Sequence, residues 1–586
     1  MDVHARLSQL TPEARAVLTQ KIKTRLVDST PSDHDVAIVG GGVAALTLAL
    51  EIRRTRPRTR ILVIESKPHP VPEITHTVGE STVEIAAQYL RDRLDMADHL
   101  HTSQIRKMGL RMFFSHDGNT DIAQRMELGS SSFTPQVTYQ IDRGRLENEL
   151  SRRCLSEGVE ITPGRVRSVE LGGGRPHTVA IQHDDTTSHT TARWVVDASG
   201  RNRALPRQLE LRRTNAHNCN AVWLRVAAEI DISKWSDDPS WQARLVEGDR
   251  AMSTNHLMGE GYWVWLIRLS SGATSVGIVA DPAIHAFDNF NTLAKARSWL
   301  LEYEPQCAAV LAQHEHLIKD FRVMKHYSHG AAKVYDGQHR WCLTGDAGVF
   351  LDPLYSSGLD LVAIGNGLIT DMITRELDGE NIVARAGISD SLFRSLTEMW
   401  LNVYCNQYPL MGSPAVMSAK VIWDMAFYWG FLGLMYSNDK FVSVADDPGV
   451  VPHLEGIIEL SNRMQGFFRE WATVESVQRS APFVDLYSPL DFMVTLHTAM
   501  MGKASDFTTQ FDANVLLLRQ TAGQLIDAIL TEKCRAFDDD DVMRQVQAWQ
   551  RDSFLRDLRS TYRQRQRVEP LSPGWIVRSA PALEFS

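Results

Sequence analysis

The chain lacks the features that would place it in several large functional classes. No apolar run reaches the roughly eighteen residues of a membrane-spanning helix, and the opening residues Met1-Asp2-Val3-His4-Ala5-Arg6 hold no apolar signal-peptide core. A soluble, cytoplasmic protein with no membrane partner is expected. Cysteine is sparse: Cys154, Cys219, Cys307, Cys342, Cys405 and Cys534 are scattered without Cys-x-x-Cys spacing. That argues against a zinc site or a disulfide framework, and no metal is expected. A basic excess is missing as well. Sixty-two basic residues stand against seventy-one acidic ones, a formal net charge of -9, so nothing argues for a nucleic-acid partner. Repeats and low-complexity segments are absent, and the acidic run Asp538 to Asp541 reads as a solvated helix start rather than a metal site.

What is present begins with length. At about 150 residues per domain, 586 residues suggest two to four units. Residues 8 to 27 read as a short amphipathic helix, with Thr11 and Pro12 at its start and Ala14, Val17, Leu18 and Ile22 on one face. The first informative stretch follows it. Asp35 to Val39 is an unbroken apolar strand that runs into Gly40-Gly41-Gly42-Val43-Ala44-Ala45 and a helix from Leu46 to about Arg54. In this Gly-x-Gly-x-x-Ala pattern Gly40 permits the tight turn, Gly42 lets a pyrophosphate approach the backbone, and Ala45 lets helix and strand pack closely. A second apolar strand, Ile61 to Ile64, ends in Glu65, placed to accept hydrogen bonds from a ribose. Strand, glycines, helix, strand and terminal acid in register point to a dinucleotide, either NAD(P) or FAD.

Two later elements favour FAD. Val195-Val196-Asp197-Ala198-Ser199-Gly200 is another strand running into a turn, and Gly345-Asp346-Ala347-Gly348 leads through Asp352-Pro353-Leu354-Tyr355-Ser356-Ser357-Gly358 into an apolar helix. A helix N-terminus presents unpaired N-H groups and a partial positive charge, so this turn suits an anion. Stretches alternating with period two (Val166 to Leu171, Val179 to Gln182, Ala221 to Ile232, Gly261 to Leu269, Ala273 to Ala280) read as strands of an antiparallel substrate-side sheet. From about residue 386 the pattern turns helical and rich in large apolar residues, among them Trp400, Trp423, Phe427, Tyr428, Trp429 and Phe431. The run from Met425 to Tyr436 is too short to cross a bilayer and reads as a buried helix or pocket wall.

The three-element layout resembles the flavoprotein monooxygenase fold. The expected protein is therefore α/β (α+β), with a Rossmann-like FAD-binding domain over 31–385, an inserted antiparallel sheet at about 205–320, a helical extension at 1–30 and a helical region at 386–586 covering the substrate site. The resemblance implies that Asp346 lies by the ribityl-pyrophosphate and that Arg143 is a cofactor-side arginine. Val78-Gly79-Glu80-Ser81-Thr82 further resembles the strap of the flavin-dependent halogenases, Trp263-Val264-Trp265-Leu266-Ile267 their Trp-x-Trp-x-Ile-Pro signature, and the turn from Asp352 to Gly358 their flavin and halide turn. Gly79, Glu80, Ser81, Gly345 and Pro353 would then contact FAD, Ser356, Ser357 and Gly358 would bind chloride or bromide, and Lys107 matches the family's reactive lysine. Trp263 and Trp265, on one face of a strand, and Tyr355 would shape the partition and the substrate side.

Two positions depart from the pattern. Arg268 replaces the signature's proline, and Tyr355 stands where free-tryptophan halogenases carry glutamate. The branch implied acts on phenolic, pyrrolic or carrier-bound substrates. The expected activity is an FAD-dependent halogenase that uses FADH2 from a separate NAD(P)H-dependent flavin reductase, with oxygen and halide giving hypohalous acid. Lys107 then passes halogen to an aromatic substrate by hydrogen bonding or as a haloamine. A hydroxylating monooxygenase of the same fold and a catalytically silent binding subunit are the alternatives, and a homodimer is a further expectation.

Overall fold

A computed structural model describes residues 32–74, 78–447, 451–475, 482–535 and 539–566. The amphipathic helix expected at 8 to 27, and the 1–30 extension with it, lies outside the described residues. Two eight-stranded sheets organise the described chain.

The first sheet is the nucleotide-binding one. Its central strand His34–Val39 pairs in parallel with Thr186–Asp197 on one side and with Ile61–Glu65 on the other. Glu160–Pro163 and Trp341–Leu343 extend it in parallel. Four consecutive residues of the central strand, Val36 to Val39, are buried, as a strand covered on both faces requires. Helix Val43–Thr55 leaves the turn at its end and packs against the long helix Gly358–Leu377. A hairpin, Arg165–Glu170 with His177–His183, is attached to Thr186–Asp197. The stretches 166–171 and 179–182 therefore belong to this sheet and not to the substrate-side one. Their alternation was read correctly as strand, but period two does not say which sheet a hairpin joins.

The second sheet runs in the order Ile318–Met324, Asn220–Val226, Thr274–Ala280, Tyr262–Arg268, Thr254–Gly259, Leu110–Phe114, Glu127–Gly129, Phe483–Asp485. It is wider than the expected insertion at 205–320 and it is mixed. Thr254–Gly259 pairs with Leu110–Phe114 in parallel, and Phe483–Asp485 pairs in parallel with Glu127–Gly129. Its inner face holds Trp263 and Trp265, while its other face packs on helices Leu293–Tyr303 and Pro305–Gln313 around a second core. Beyond residue 386 the described chain is helical apart from that one strand, and its buried side chains share a core with residues of both sheets. Among the described residues no helix is long and apolar enough to cross a membrane.

Candidate active site

The glycine turn is built as the local sequence dictates. Gly40 has φ of +104°, and a Cβ there would stand 2.5 Å from the Ala198 carbonyl oxygen. Gly42 has nothing within 4 Å of where its Cβ would be, which leaves the N-terminus of Val43–Thr55 open to a ligand. From this opening a cavity of about 340 Å³ runs past Arg143 and the strap to Gly345, Asp346, Pro353 and the residues from Ser356 to Gly358. It thus joins the N-termini of two helices with a row of small residues. Arg143 Nε is buried without a partner, aimed at the same region. An extended dinucleotide such as FAD fits this groove, with the helix N-terminus after Gly42 for its pyrophosphate and the Pro353 to Gly358 turn for its ring.

Of the residues predicted to contact cofactor, Gly42, Gly79, Glu80, Ser81, Arg143, Gly345, Asp346 and Pro353 line the cavity. Gly40, Ala45, Glu65 and Asp197 do not line it; they shape it from behind. The Glu65 carboxylate accepts hydrogen bonds from the Gly41 and Lys67 N-H groups. Asp197 accepts from Ser199 N at 2.9 Å and Leu205 N at 2.7 Å, holding the turn after its strand. Glu80 is buried against Arg225, whose Nη2 donates to it at 2.6 Å, and this pair anchors the strap to the second sheet. Burial raises the Glu80 carboxyl while Arg225 opposes the rise. Burial likewise raises Asp346, against the pull of His329 and Arg201.

Trp263 and Trp265 line the same cavity, side by side with ring centroids 5.6 Å apart. Trp263 Nε1 donates to the Tyr408 hydroxyl at 2.9 Å and Trp265 Nε1 to Ser275 at 3.1 Å. Gly277 faces Trp265 across the strand pair, and a Cβ there would come within 2.2 Å of the indole. Arg268 ends the strand with its guanidinium on Glu229 at 2.6 Å, outside the cavity. The departure from the signature therefore falls away from the site. Asp352, in the flavin-side turn, is a centre that sequence reasoning missed: its Oδ2 accepts from His217 at 2.6 Å, Tyr327 at 2.6 Å and Tyr408 at 2.7 Å. Burial alone would raise this carboxyl, but those three donors hold it below the usual range. Nothing in local spacing connects residues 217, 327, 352 and 408.

Lys107 lies in a second, smaller cavity of about 70 Å³. It ends the short strand Ile105–Lys107, and Met108 and Gly109 form a break before Leu110–Phe114. The residue is 3 % exposed, and its ammonium donates to Ser81 Oγ at 2.8 Å and to the Thr82 carbonyl at 2.9 Å. Burial pushes its pKa down to about 8, against the pull of Glu84 and Asp360. Trp400, Phe427, Tyr428 and Trp429 supply the aromatic wall, and Ser357 and Tyr355 close the side toward the first cavity. The π-helical turn Tyr428–Gly433 widens the helix where Tyr428 and Trp429 enter. Tyr355 donates to Asp424 at 2.9 Å, and Asp424 is paired with the buried Lys420 at 2.6 Å.

The two cavities meet at two points. Ser357 lines both, and Ser81, which lines the first, accepts from Lys107, which lines the second. Ser356, with φ of +59°, and Gly358 face the first cavity only. The arrangement sets an anion-accepting helix N-terminus between a dinucleotide groove and a buried lysine pocket.

A lycopene cyclase protein family model, of a related FAD-binding family, matches residues 35–229. Among curated proteins, the flavin-dependent halogenase chlA of Dictyostelium discoideum is 24 % identical over 68 % of this chain and 70 % of its own. A 1H-pyrrole-2-carbonyl-[peptidyl-carrier protein] brominase of Pseudoalteromonas luteoviolacea is 26 % identical over 59 % of this chain and 79 % of its own. In three dimensions the fold matches a variant of the halogenase PltM in complex with FAD, at a TM-score of 0.55 and 15 % identity, covering 83 % of this chain and 96 % of that one. This chain is similar in sequence to flavin-dependent halogenases and shares their fold.

Proposed function

We propose that the protein halogenates an electron-rich aromatic substrate, free or tethered to a carrier protein, using FADH2 delivered by a separate reductase, oxygen, and chloride or bromide. The observation that supports this reading best is the Lys107 to Ser81 hydrogen bond, which carries the lysine's reach from the aromatic pocket to the wall of the dinucleotide groove. Reduced FAD, when bound, supplies with oxygen the oxidant that converts halide to hypohalous acid. The chain's own residues do the rest. The N-H groups at the start of Gly358–Leu377 attract the halide, and Ser356 to Gly358 hold it beside the groove. Trp263, Trp265 and His256 keep water from the groove's inner wall. Lys107, held by Ser81 and Thr82, receives the electrophilic halogen and presents it to a ring packed among Trp400, Tyr428 and Trp429. Separation of groove and pocket favours halogen transfer over direct oxygenation of the substrate. The Tyr355 phenol in place of a carboxylate supports a phenolic or pyrrolic substrate class, and the halogenases of carrier-bound pyrrole among the relatives support a tethered one.

The test is mass spectrometry of reactions containing the protein, FAD, a flavin reductase, NADH, oxygen and either halide, with phenol, pyrrole and indole substrates offered free and carrier-loaded. A halogen isotope pattern that disappears in Lys107→Ala, with FAD binding unchanged, is expected. Oxygen added without halogen would overturn the reading.

A further inference from the structure

Halogen transfer through Lys107 leaves a proton to be moved at each end of the cycle. An amine takes halogen from hypohalous acid only as the free base, so the ammonium must first release a proton inside a buried pocket. When halogen later leaves nitrogen for the ring, nitrogen must regain a proton and the ring must lose one.

One buried group stands ready for this. Asp360 sits in the first turn of Gly358–Leu377, fully buried, and lines the same cavity as Lys107. Its Oδ1 accepts from Ala86 N at 2.8 Å, which fixes the carboxyl. Its Oδ2 lies beside the Tyr428 hydroxyl without a hydrogen bond of normal geometry. Lys107 spends two of its three donors on Ser81 and Thr82 and keeps one. A cavity of about 70 Å³ holds a few water molecules at most.

Resting on the halogenase reading above, we propose that Asp360 is the proton carrier of Lys107. The steps balance. The Lys107 ammonium gives a proton to the Asp360 carboxylate, leaving amine and carboxylic acid. The amine then attacks the halogen of hypohalous acid: a nitrogen–halogen bond forms, the oxygen–halogen bond breaks, and the displaced hydroxide combines with the proton lost from nitrogen as water. As the ring takes the halogen, Asp360 returns its proton to nitrogen, and the Asp360 carboxylate then accepts the proton lost from the ring carbon.

The surroundings single Asp360 out. Burial pushes its pKa up to about 8, the same value to which burial pushes Lys107 down, so a proton passes between them at little cost. The other titratable groups around the cavity differ from it, with the exception of Glu84. Burial pushes His256 down to about 3 and His497 down to about 4, so both stay neutral. Burial holds the Tyr428 phenol far above its usual range. Asp424, on the opposite wall, is committed to Lys420, Gln465 and Tyr355. Glu84, also raised by burial, lines the same cavity and pulls on Lys107 more strongly than Asp360 does, but it faces His497 at 3.8 Å and Trp429. A Glu84→Gln variant that slows discharge as much as Asp360→Asn would overturn the assignment.

The experiment uses the full chain with FAD, a flavin reductase, NADH, oxygen and chloride in a single turnover without substrate, because free hypochlorite would be consumed first by the chain's cysteines and methionines. Chloramine on Lys107 is followed by peptide mass spectrometry, and its discharge is timed after a phenol is added. Wild type is expected to form the chloramine and pass chlorine to phenol with a rate that varies with pH around 8. In Asp360→Asn the amide oxygen still accepts from Ala86, so melting temperature and FAD affinity are expected to hold. Discharge is expected to slow on the order of 100-fold and to lose its pH dependence. Asp360→Glu, which keeps a titrating group one methylene away, is expected to keep the pH profile at an intermediate rate, and it carries the test if the Asn variant fails to fold. Discharge within three-fold of wild type with an unchanged pH profile in either variant would overturn the assignment. A wild-type protein that forms no Lys107 chloramine would instead sink the role of Lys107, and this proposal with it.

Discussion

The two cavities are made in opposite ways. At its two helix N-termini the groove that fits the dinucleotide is lined by small residues within short motifs, the turn after Gly40 and the one ending at Gly358, while Trp223, Trp263, Trp265 and Tyr327 wall the rest. The lysine pocket is lined by large side chains drawn from segments as far apart as Val83 and Ser461, with Lys107, Tyr355, Trp400 and Tyr428 between them. A groove that must accept one fixed shape, a pyrophosphate, can be written locally. A pocket that must keep water from a reactive amine has to be enclosed from several directions.

If that contrast is right, the largest effect should come from the lysine. Lys107→Met, which keeps the length and removes the amine, is expected to lower halogenation on the order of 1000-fold while FAD affinity, measured by flavin fluorescence quenching, stays within two-fold. An equal loss of FAD affinity would show that the two cavities are not separable. Next in size is Gly42→Val. The open space above Gly42 means that the fold should accept the side chain and the cofactor should not. FAD affinity is expected to fall on the order of 100-fold with the melting temperature nearly unchanged. A large drop in melting temperature would make Gly42 a packing residue and not a ligand contact.

The pH dependence sharpens the same contrast. Because Lys107 is held at about 8, its free amine is the minor form at pH 7 and the major form at pH 9. Formation of the Lys107 chloramine is expected to rise about ten-fold per pH unit below 8 and to level above it, whereas FAD binding should not follow that curve. A rate that is flat between pH 6 and 9 would count against the amine as the reacting form. The smallest effect belongs to the wall between the sheets. Gly277→Ala would press a methyl group into the Trp265 indole and is expected to cost about 1–3 kcal/mol of stability by overpacking, measured by chemical denaturation. A neutral result would show that the indole has room to move.

The same contrast explains what could be read from the chain alone. The groove was legible because Gly40, Gly42, Gly345 and the Pro353 to Gly358 turn each carry their reason within a few residues. The strap and Lys107 were legible only by resemblance, and their contact was not: Ser81 and Lys107 lie 26 residues apart, and the bond depends on Thr138–Gln140, which pairs with Ile105–Lys107 and bridges to Ser81. Asp352 with His217, Tyr327 and Tyr408, and Asp424 with Lys420, were invisible, because buried polar groups find partners through tertiary packing and leave no periodic trace. The substrate-side sheet was misdrawn for a related reason. Alternation identifies strands, but neither the parallel partnership of Thr254–Gly259 with Leu110–Phe114 nor the late strand Phe483–Asp485 leaves a mark in the local pattern.

That late strand has a consequence for how the protein is made. Phe483–Asp485 closes the edge of a sheet whose other strands lie between residues 110 and 324. On the ribosome, the first sheet waits for Trp341–Leu343 and the groove for the turn ending at Gly358, but the second sheet stays open at one side until nearly five hundred residues have emerged. The Glu127–Gly129 edge is then exposed through much of synthesis, and the wait for its partner makes the interval before release the one in which this protein is most prone to pair with the wrong strand.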